Sequence, residues 1–584
     1  MFCSNLLNAQ TISDIISDIY EQVEEYGGNL EDLSQELMEL HNQRIDLNTA
    51  TEEDLQRLRF LSDLQIDNIL TYVYKHPMQS VYELQLVPGL RDYEIRNLSY
   101  FVITEKPTIQ EQIYPREIFH YAKHELTLRT DARNIENAKE DPFYGNLRYR
   151  FNYKNRVMAG FSLQRGASVP WKELNYGGYI QLNNMIPHIK TLVIGNFQGQ
   201  FGQGLILGQA VHMGKSTYIM SSANGAEGVK KYSSASDSYD YLHGIASTLK
   251  FGSLDITALY SIRKEKDSLW HHVVGFNTTY KHNKWKIGLT AIENIYRTDS
   301  TATAFGVNAR YNMGRWDLWG EVATSYASQW GWGTIVGARL SPINGLGFLL
   351  FYRYYSPTYY SRYAQTFAET SKVNDENGLY IGTEIKLVPQ WRFSIYADGF
   401  YFSGPKYGIP KASWGWDMMG QADFEVNQEM SMFWKFRAKR RYVTDTYSLR
   451  YQFNWNQGGW HLRTQLDGSL VKKGTNNPTC GFSVLQDVHY SFRQVPITLQ
   501  LRVQAFDVKQ WDNRIYIYEN DVLYAMSIPA TYHVGGRLYL NMRYQICKNL
   551  SAYCRVSETF YHPQWTGDNK PTRTDVHLLL RATF

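Results

Sequence analysis

Three groups of side chains in this 584-residue chain have types and spacings that could do chemistry. Gly214-Lys215-Ser216 has the ending of a phosphate-binding loop, in which backbone N–H groups and a lysine cradle a polyphosphate. That loop needs a glycine five residues before Gly214; Gln209 stands there, Gly208 is one place off, and no strand-then-helix context surrounds it. His271-His272 with Asp267 offers metal ligands, but adjacent residues of a strand point to opposite faces, so the pair cannot chelate from a regular strand. A hydrolase site would need Ser, His and an acid brought together across strands, and the 15 histidines are scattered singly. Cys3, Cys480, Cys547 and Cys554 have neither metal spacing nor the pattern of a disulfide framework, and Cys547 and Cys554 read as unpaired. No catalytic residue, cofactor or metal is named by these patterns, and the expectation is a protein that is not an enzyme.

The elements that would have to position such residues are more informative. From about residue 116 to Phe584 the chain alternates apolar and polar residues with period two. Leu147, Tyr149, Phe151 and Tyr153 share one face, with Arg148, Arg150 and Asn152 on the other. A tight turn at Asn155-Arg156 follows, and Val157, Ala159, Phe161 and Leu163 resume the apolar face. Eleven such turns, among them Gly252-Ser253, Asn344-Gly345 and Lys548-Asn549, alternate with twelve longer polar loops, which makes 24 strands of roughly 9–12 residues. The mean hydropathy is negative, and no apolar run is long enough for a helical membrane span. Amphipathic strands in this number, with 45 Tyr and 15 Trp available for interfacial girdles, suit a barrel whose apolar face meets lipid. The fold class expected is α+β: a large, about 24-stranded antiparallel transmembrane β-barrel preceded by a small all-α domain. Its short turns should be periplasmic and its long loops extracellular.

A barrel this wide has a lumen its own wall cannot fill, so it is either open or plugged. The best plug in the sequence is the Gly- and Ser-rich connection 199–240, which starts Gly199-Gln200-Phe201-Gly202-Gln203-Gly204. Lys435, Arg437, Lys439, Arg441, Arg450 and Arg463 project to one side of adjacent strands, a basic wall that favours anionic solutes or an acidic plug, or is solvated by salt bridges to nearby acids.

The chain ahead of the barrel divides into four. Residues 1–9 read as the remnant of a secretory signal, with Leu6-Leu7-Asn8-Ala9 before Gln10, so a longer precursor is expected. Residues 10–43 read as two amphipathic helices, with Ile12, Ile15, Ile16, Ile19 and Val23 on one face and Leu30, Leu33, Leu37 and Leu40 on the other helix. Residues 44–105 form a compact helical module, and 106–115 a linker. Charge is uneven: residues 1–105 carry 6 of the 60 Lys/Arg and 19 of the 56 Asp/Glu, leaving 54 against 37 for the remainder.

Residues 45–102 resemble a tandem helix-hairpin-helix domain of the competence ComEA type. The resemblance is carried by Ile45-Asp46-Leu47-Asn48-Thr49-Ala50-Thr51, Leu55, Leu58, Val81-Tyr82-Glu83-Leu84 and Val87-Pro88-Gly89-Leu90. Asn48 or Thr49 is placed to cap a helix opening with Glu52, Glu53 and Asp54. In that family hairpin glycines let backbone N–H groups approach a DNA phosphate, which would make Arg59, Ser62, Gly89 and Arg91 the contacts here. The chain departs from the pattern: the first hairpin, Arg59-Phe60-Leu61-Ser62-Asp63-Leu64, has no glycine, and the region is acidic, which opposes DNA.

This module joined to a barrel containing Gly195-Asn196-Phe197 and Tyr518-Glu519-Asn520-Asp521-Val522-Leu523-Tyr524 resembles the helix-hairpin-helix outer-membrane proteins of Bacteroidota. The terminal strand, with Val576, Leu578, Leu580, Ala582 and Phe584 on one face, resembles the signal that hands bacterial barrels to the outer-membrane assembly machinery. These resemblances imply a bacterial outer-membrane location with a periplasmic helical domain. The expected partners are outer-membrane lipid, the assembly machinery and a periplasmic or membrane protein docked by the acidic module. The expected role is transport or envelope assembly, with DNA uptake and a barrel enzyme as its rivals.

Overall fold

Alternation along the chain becomes a closed, hydrogen-bonded wall. The computed structural model describes residues 12–27, 30–90, 92–104, 115–135, 143–170, 173–209, 212–223, 227–234, 241–264, 270–296, 301–427, 429–492, 494–525, 527–563 and 572–584. Twenty-four antiparallel strands, from Lys123–Ile135 to Arg573–Thr583, each pair with the next in sequence. The last returns to the first with Leu580 opposite Leu128 and Thr583 opposite Glu125, so no edge is left unpaired. Each expected tight turn falls between two strands, while the expected longer loop at 441–445 is only two residues, Tyr442-Val443.

The outward face is apolar. Leu350 and Ile381 are register partners, and Phe276, Val322, Leu449, Val484, Leu540 and Leu580 all stand exposed on it. Aromatic pairs mark both rims: Trp285 stacks on Tyr311 and Trp460 meets Tyr490 near the short turns, while Tyr326–Trp330 and Tyr401–Trp414 lie near the long loops. An apolar band between aromatic rims is the exterior of a membrane-spanning, outer-membrane-type barrel.

The lumen is occupied. Helices α1 (Ile12–Glu21), α2 (Leu30–Asn42), α3 (Glu52–Gln56), α4 (Asp63–Lys75) and α5 (Asp92–Leu98) form a domain with its own core, in which Ile15, Ile16, Leu37, Leu55, Leu58, Ile69 and Leu98 are buried. That core is continuous with Met213, Tyr218, Tyr518, Val522 and Leu523, which come from inward loops of the barrel, and with Tyr553 and Leu579 of its wall. A second cluster joins Phe201, Leu205, Ile206, Leu207, Ile219 and Met220 to wall residues such as Trp319, Ile335 and Phe351, and to Tyr359, Tyr363 and Phe367 of the connection 356–375.

Three local expectations change. Val23, assigned to the first helix face, lies in a strand, Val23–Gly27, which pairs antiparallel with His212–Ser216 of the inward loop; long-range pairing overrides the helical pattern. The cap of α3 is Thr51, whose hydroxyl accepts from the Asp54 N–H in a capping box. Asn48 instead exchanges hydrogen bonds with the Met78 backbone, and the Thr49 hydroxyl donates to Asp46, so the helix starts later. The first barrel strand begins at Lys123, after a short helix α6 (Pro115–Tyr121), rather than at residue 116. The remnant 1–9 with Cys3, and nearly all of the linker 106–115, lie outside the described residues.

Candidate functional site

Along the strands from Phe143–Tyr153 to Thr301–Asn312 the short-turn end of the barrel presents an arc of basic side chains, and the helical domain meets it with its carboxylates. Lys281 and Lys286 flank one turn and reach Glu52 at 2.8 and 3.1 Å. Glu53 pairs with Lys190 at 2.8 Å and with Lys281 at 3.2 Å. Asp63 lies 3.4 Å from Arg310, and Asp67 accepts from Asn312 at 2.6 Å. On α2, Glu36 pairs with Lys230 at 3.1 Å and Arg57 at 3.2 Å, and Glu39 with Lys231 at 2.9 Å and Arg150 at 3.3 Å. Burial raises the carboxyls of Glu36, Glu39 and Glu53, but the surrounding cations outweigh it and hold each at about 2; Glu52 is likewise held well below its ordinary value. The negative charge seen at the front of the sequence is thus matched within the chain. The sequence showed the excess and the basic barrel, but not that the two meet.

Inside the barrel, the described part of the Gly-rich loop is fastened to the wall. Glu321 of the wall accepts N–H bonds from Gln203 at 2.5 Å and Leu205 at 3.4 Å. Gly202 and Gly204 have φ of +56° and +83°, and a Cβ at Gly204 would collide with the Gln365 carbonyl oxygen. The loop 356–375 locks onto it: the Tyr359 hydroxyl donates to Leu205 O, Ser361 to Ile206 O, and Gly208 N–H to Tyr363 O. Gly199 N–H donates to the Gln209 side chain, and Phe201 is buried. Further along, Lys215 enters a buried cage of Glu369, Asp398 and Asp417 at 2.5, 3.0 and 3.1 Å. Lys215 is therefore an anchor for the loop and not part of a phosphate cradle. Strand pairing with Val23–Gly27, a Thr217 N–H bond to Gln22 O and a Ser221 hydroxyl bond to Phe60 O tie this loop to the helical domain.

A third inward segment, 509–532, carries the Tyr518–Tyr524 stretch. Glu519 bridges Arg537 and Arg555, and Asp521 pairs with Arg555 and His577 at 2.7 Å each. Burial raises the Asp521 carboxyl, while Arg555 and His577 bring it well below its ordinary value. Arg463 and Arg502 share Asp487, all three buried in the wall. The expected basic wall is partnered: Arg437 and Lys439 meet Asp417, Arg450 meets Asp467, and Arg463 meets Asp487. At the terminal strand, Leu578 and Leu580 face outward, Ala582 pairs in register with Leu550, and Phe584 stacks on His124 at 5.2 Å between ring centroids.

The hairpin residues face inward as well. The Ser62 hydroxyl accepts from Gln65 N–H and caps α4, while Gln65 Oε1 accepts from Ser62 N–H. Gly89, at φ +82°, donates its N–H to Asn344 Oδ1 on a barrel turn. Arg59 is 6% exposed and lies 3.8 Å from Glu36. Arg91 and Asp267 lie outside the described residues. The atoms that would face a DNA backbone are turned toward the barrel or engaged within the chain. His271 stacks on Tyr296, and His272 pairs with the Tyr260 hydroxyl at 2.9 Å. Among the described residues no group of His, Cys, Asp and Glu could hold a metal, and Cys480, Cys547 and Cys554 are free.

Between the domain and the wall strands 157–281 runs a polar cavity of about 790 Å³. Gln181, Asn183, Gln198, Thr248, Asn277 and Thr279 line its wall side, Glu36, Glu39, Glu52, Glu53, Arg57 and Arg59 its domain side, and Phe201 its far end.

This geometry defines a class: a membrane-spanning 24-stranded barrel with an N-terminal helical domain packed against its inward loops. No protein-family model and no curated protein matches the chain. Solved barrels are similar to it. The siderophore receptor PirA from Pseudomonas aeruginosa aligns with a TM-score of 0.42 at 8% identity, covering 84% of this chain and 83% of that one. The copper transporter OprC gives 0.42 at 8%, covering 83% of each chain. The P pilus usher PapC translocation pore gives 0.42 at 6%, covering 79% of this chain and 99% of that one. Identities this low carry no function across.

Proposed function

We propose that the protein is a non-enzymatic outer-membrane barrel that acts in transport or envelope assembly, kept shut at rest by its helical domain and opened when that domain leaves the mouth. The observation that carries the reading is the charge match at the short-turn end, where five carboxylates of the domain meet seven Lys/Arg of the barrel and its inward loop. The pairs of Lys190, Lys281 and Lys286 with Glu52 and Glu53 leave 12–33% of each side chain exposed, so acid or an opposing charge weakens them together, which suits a gate. The domain's free face supports the helix-hairpin-helix module as a docking element for a periplasmic or membrane protein: Tyr74, Tyr82 and Leu86 are exposed there. The competing reading as a DNA-uptake protein loses support because Arg59, Ser62 and Gly89 are engaged within the chain.

The test is conductance of the full chain in planar bilayers. The unaltered protein should be closed, and Glu52→Lys with Glu53→Lys, which sets like charges against Lys190, Lys281 and Lys286, should give frequent large openings. Equal closure of both proteins rejects the gate.

A further inference from the structure

One part of the outward wall is covered although its neighbours are bare. Along Phe143–Tyr153 the side chains of Leu147, Tyr149, Phe151 and Tyr153 alternate with Arg148 and Arg150, which point into the lumen at Tyr524, so they belong to the lipid side. Leu126 and Phe161, the register partners of Tyr149 on the two adjoining strands, are exposed there, yet Phe151 is only 8% exposed. The cover of Phe151 is α6, whose Phe119 packs against it at 5.8 Å between ring centroids. This helix therefore lies outside the barrel, at the short-turn rim where Trp285 and Tyr311 stack. From Phe151 the aromatic contacts continue edge-on to His124 at 5.3 Å and through it to Phe584, across the seam where the first strand meets the last. Phe119 and Tyr121 present most of their surface away from the protein, at 75% and 66% exposed.

We infer that α6 is an interfacial helix that seats Phe119 and Tyr121 among the lipids of the short-turn leaflet, at the boundary of headgroups and acyl chains. Its occupant follows from continuity with the wall: Leu126, Leu128 and Phe584 on the same outer surface belong to the apolar band that lipid covers, and α6 stands on that surface rather than in the mouth. Aromatic side chains favour that boundary, and a short helix lying on it buries its apolar residues without crossing. The position also gives the helix a task. The domain, whose last described residue is Thr104, packs against inward loops, whereas α6 is outside, so the chain passes from one side of the rim to the other before Pro115. Lipid seating of α6 takes up a pull on the domain before it reaches Lys123–Ile135, whose pairing with Arg573–Thr583 closes the barrel. That strain relief rests on the gate reading; the lipid contact does not.

The full chain, with Cys3, Cys480, Cys547 and Cys554 changed to Ser, carries a nitroxide at Phe119→Cys or, in a separate protein, at Tyr121→Cys, so each label leaves the other aromatic in place. In liposomes of phosphatidylethanolamine and phosphatidylglycerol, collisions of the label with oxygen, which concentrates in lipid, are compared with collisions with a water-soluble nickel chelate. Leu128→Cys on the apolar band and Tyr74→Cys on the domain supply the lipid and water references. Both α6 labels are expected to follow Leu128→Cys; where one protein fails to fold, the other carries the comparison. Nickel collisions as frequent as at Tyr74→Cys overturn the inference, and so does shielding from both agents, which means that protein covers the helix. A label at Glu117→Cys reads the seating itself. Half-burial of one aromatic side chain is worth roughly a factor of ten in occupancy, so adding Phe119→Glu and Tyr121→Glu should lower the oxygen-to-nickel ratio at that label about tenfold. An unchanged ratio also overturns the inference. Because these collisions are read in the closed protein, their failure leaves the gate standing, and a barrel that never conducts leaves the lipid contact standing.

Discussion

Acid should unseat the helical domain. Burial raises Glu36, Glu39 and Glu53, but Lys230, Arg59 and Arg57 around the first, Lys231, Arg150 and Arg57 around the second, and Lys281 and Lys190 around the third hold them at about 2, against 4.5 when free. A carboxylate lowered in the seated state contributes holding energy that is complete above its free value and drains away as pH falls toward the seated one. The window therefore runs from about pH 4.5 down to about 2, and neutral or alkaline pH favours the closed state. One unit is worth about 1.4 kcal/mol, but Arg57 and Arg59 travel with the domain, so only the part of the lowering that comes from Lys230, Lys231 and Arg150 holds it in place; for each of Glu36 and Glu39 that part is below about 3 kcal/mol at pH 7 and is mostly lost by pH 3. The two share Arg57 and sit one helical turn apart, so their joint loss at pH 3 is at most about 3 kcal/mol. Bilayer conductance between pH 7 and 3, with protease cleavage of the helical domain as a second readout, should rise together and reverse on neutralisation. Lys231→Met, which removes the cation 2.9 Å from Glu39, should move release to higher pH. Opening on raising the pH, or none down to pH 3, refutes the reasoning.

Two further outcomes follow from buried groups. Asp487→Asn leaves Arg463 and Arg502 without their shared carboxylate and should cost about 3–5 kcal/mol, read as a lower temperature of conversion from folded to unfolded barrel on detergent gels. Gly204→Ala forces a side chain onto a left-handed backbone against the Gln365 carbonyl and should cost roughly 2 kcal/mol, releasing the Gly-rich loop and raising conductance with little change in the wall's unfolding temperature.

The wall was legible in the residues alone, because period-two alternation, tight turns and outward apolar rows are local properties that lipid on one side and a polar lumen on the other impose on every strand. The burial of Ile15, Ile16, Leu33 and Leu37 was equally local. The helix start at Thr51 and the strand at Val23–Gly27 were not, since each depends on a partner far along the chain, Met78 for Asn48 and His212–Ser216 for the strand.

What the sequence by itself determined is the barrel, its number of strands and the opposed charges of its two parts. Only the tertiary structure decided that those charges meet one another inside the mouth and that Lys215 anchors a loop. A net charge states how strongly a surface attracts its opposite but not which surface that is; the answer lies in pairings between residues as distant as Glu39 and Lys231, which no local pattern encodes.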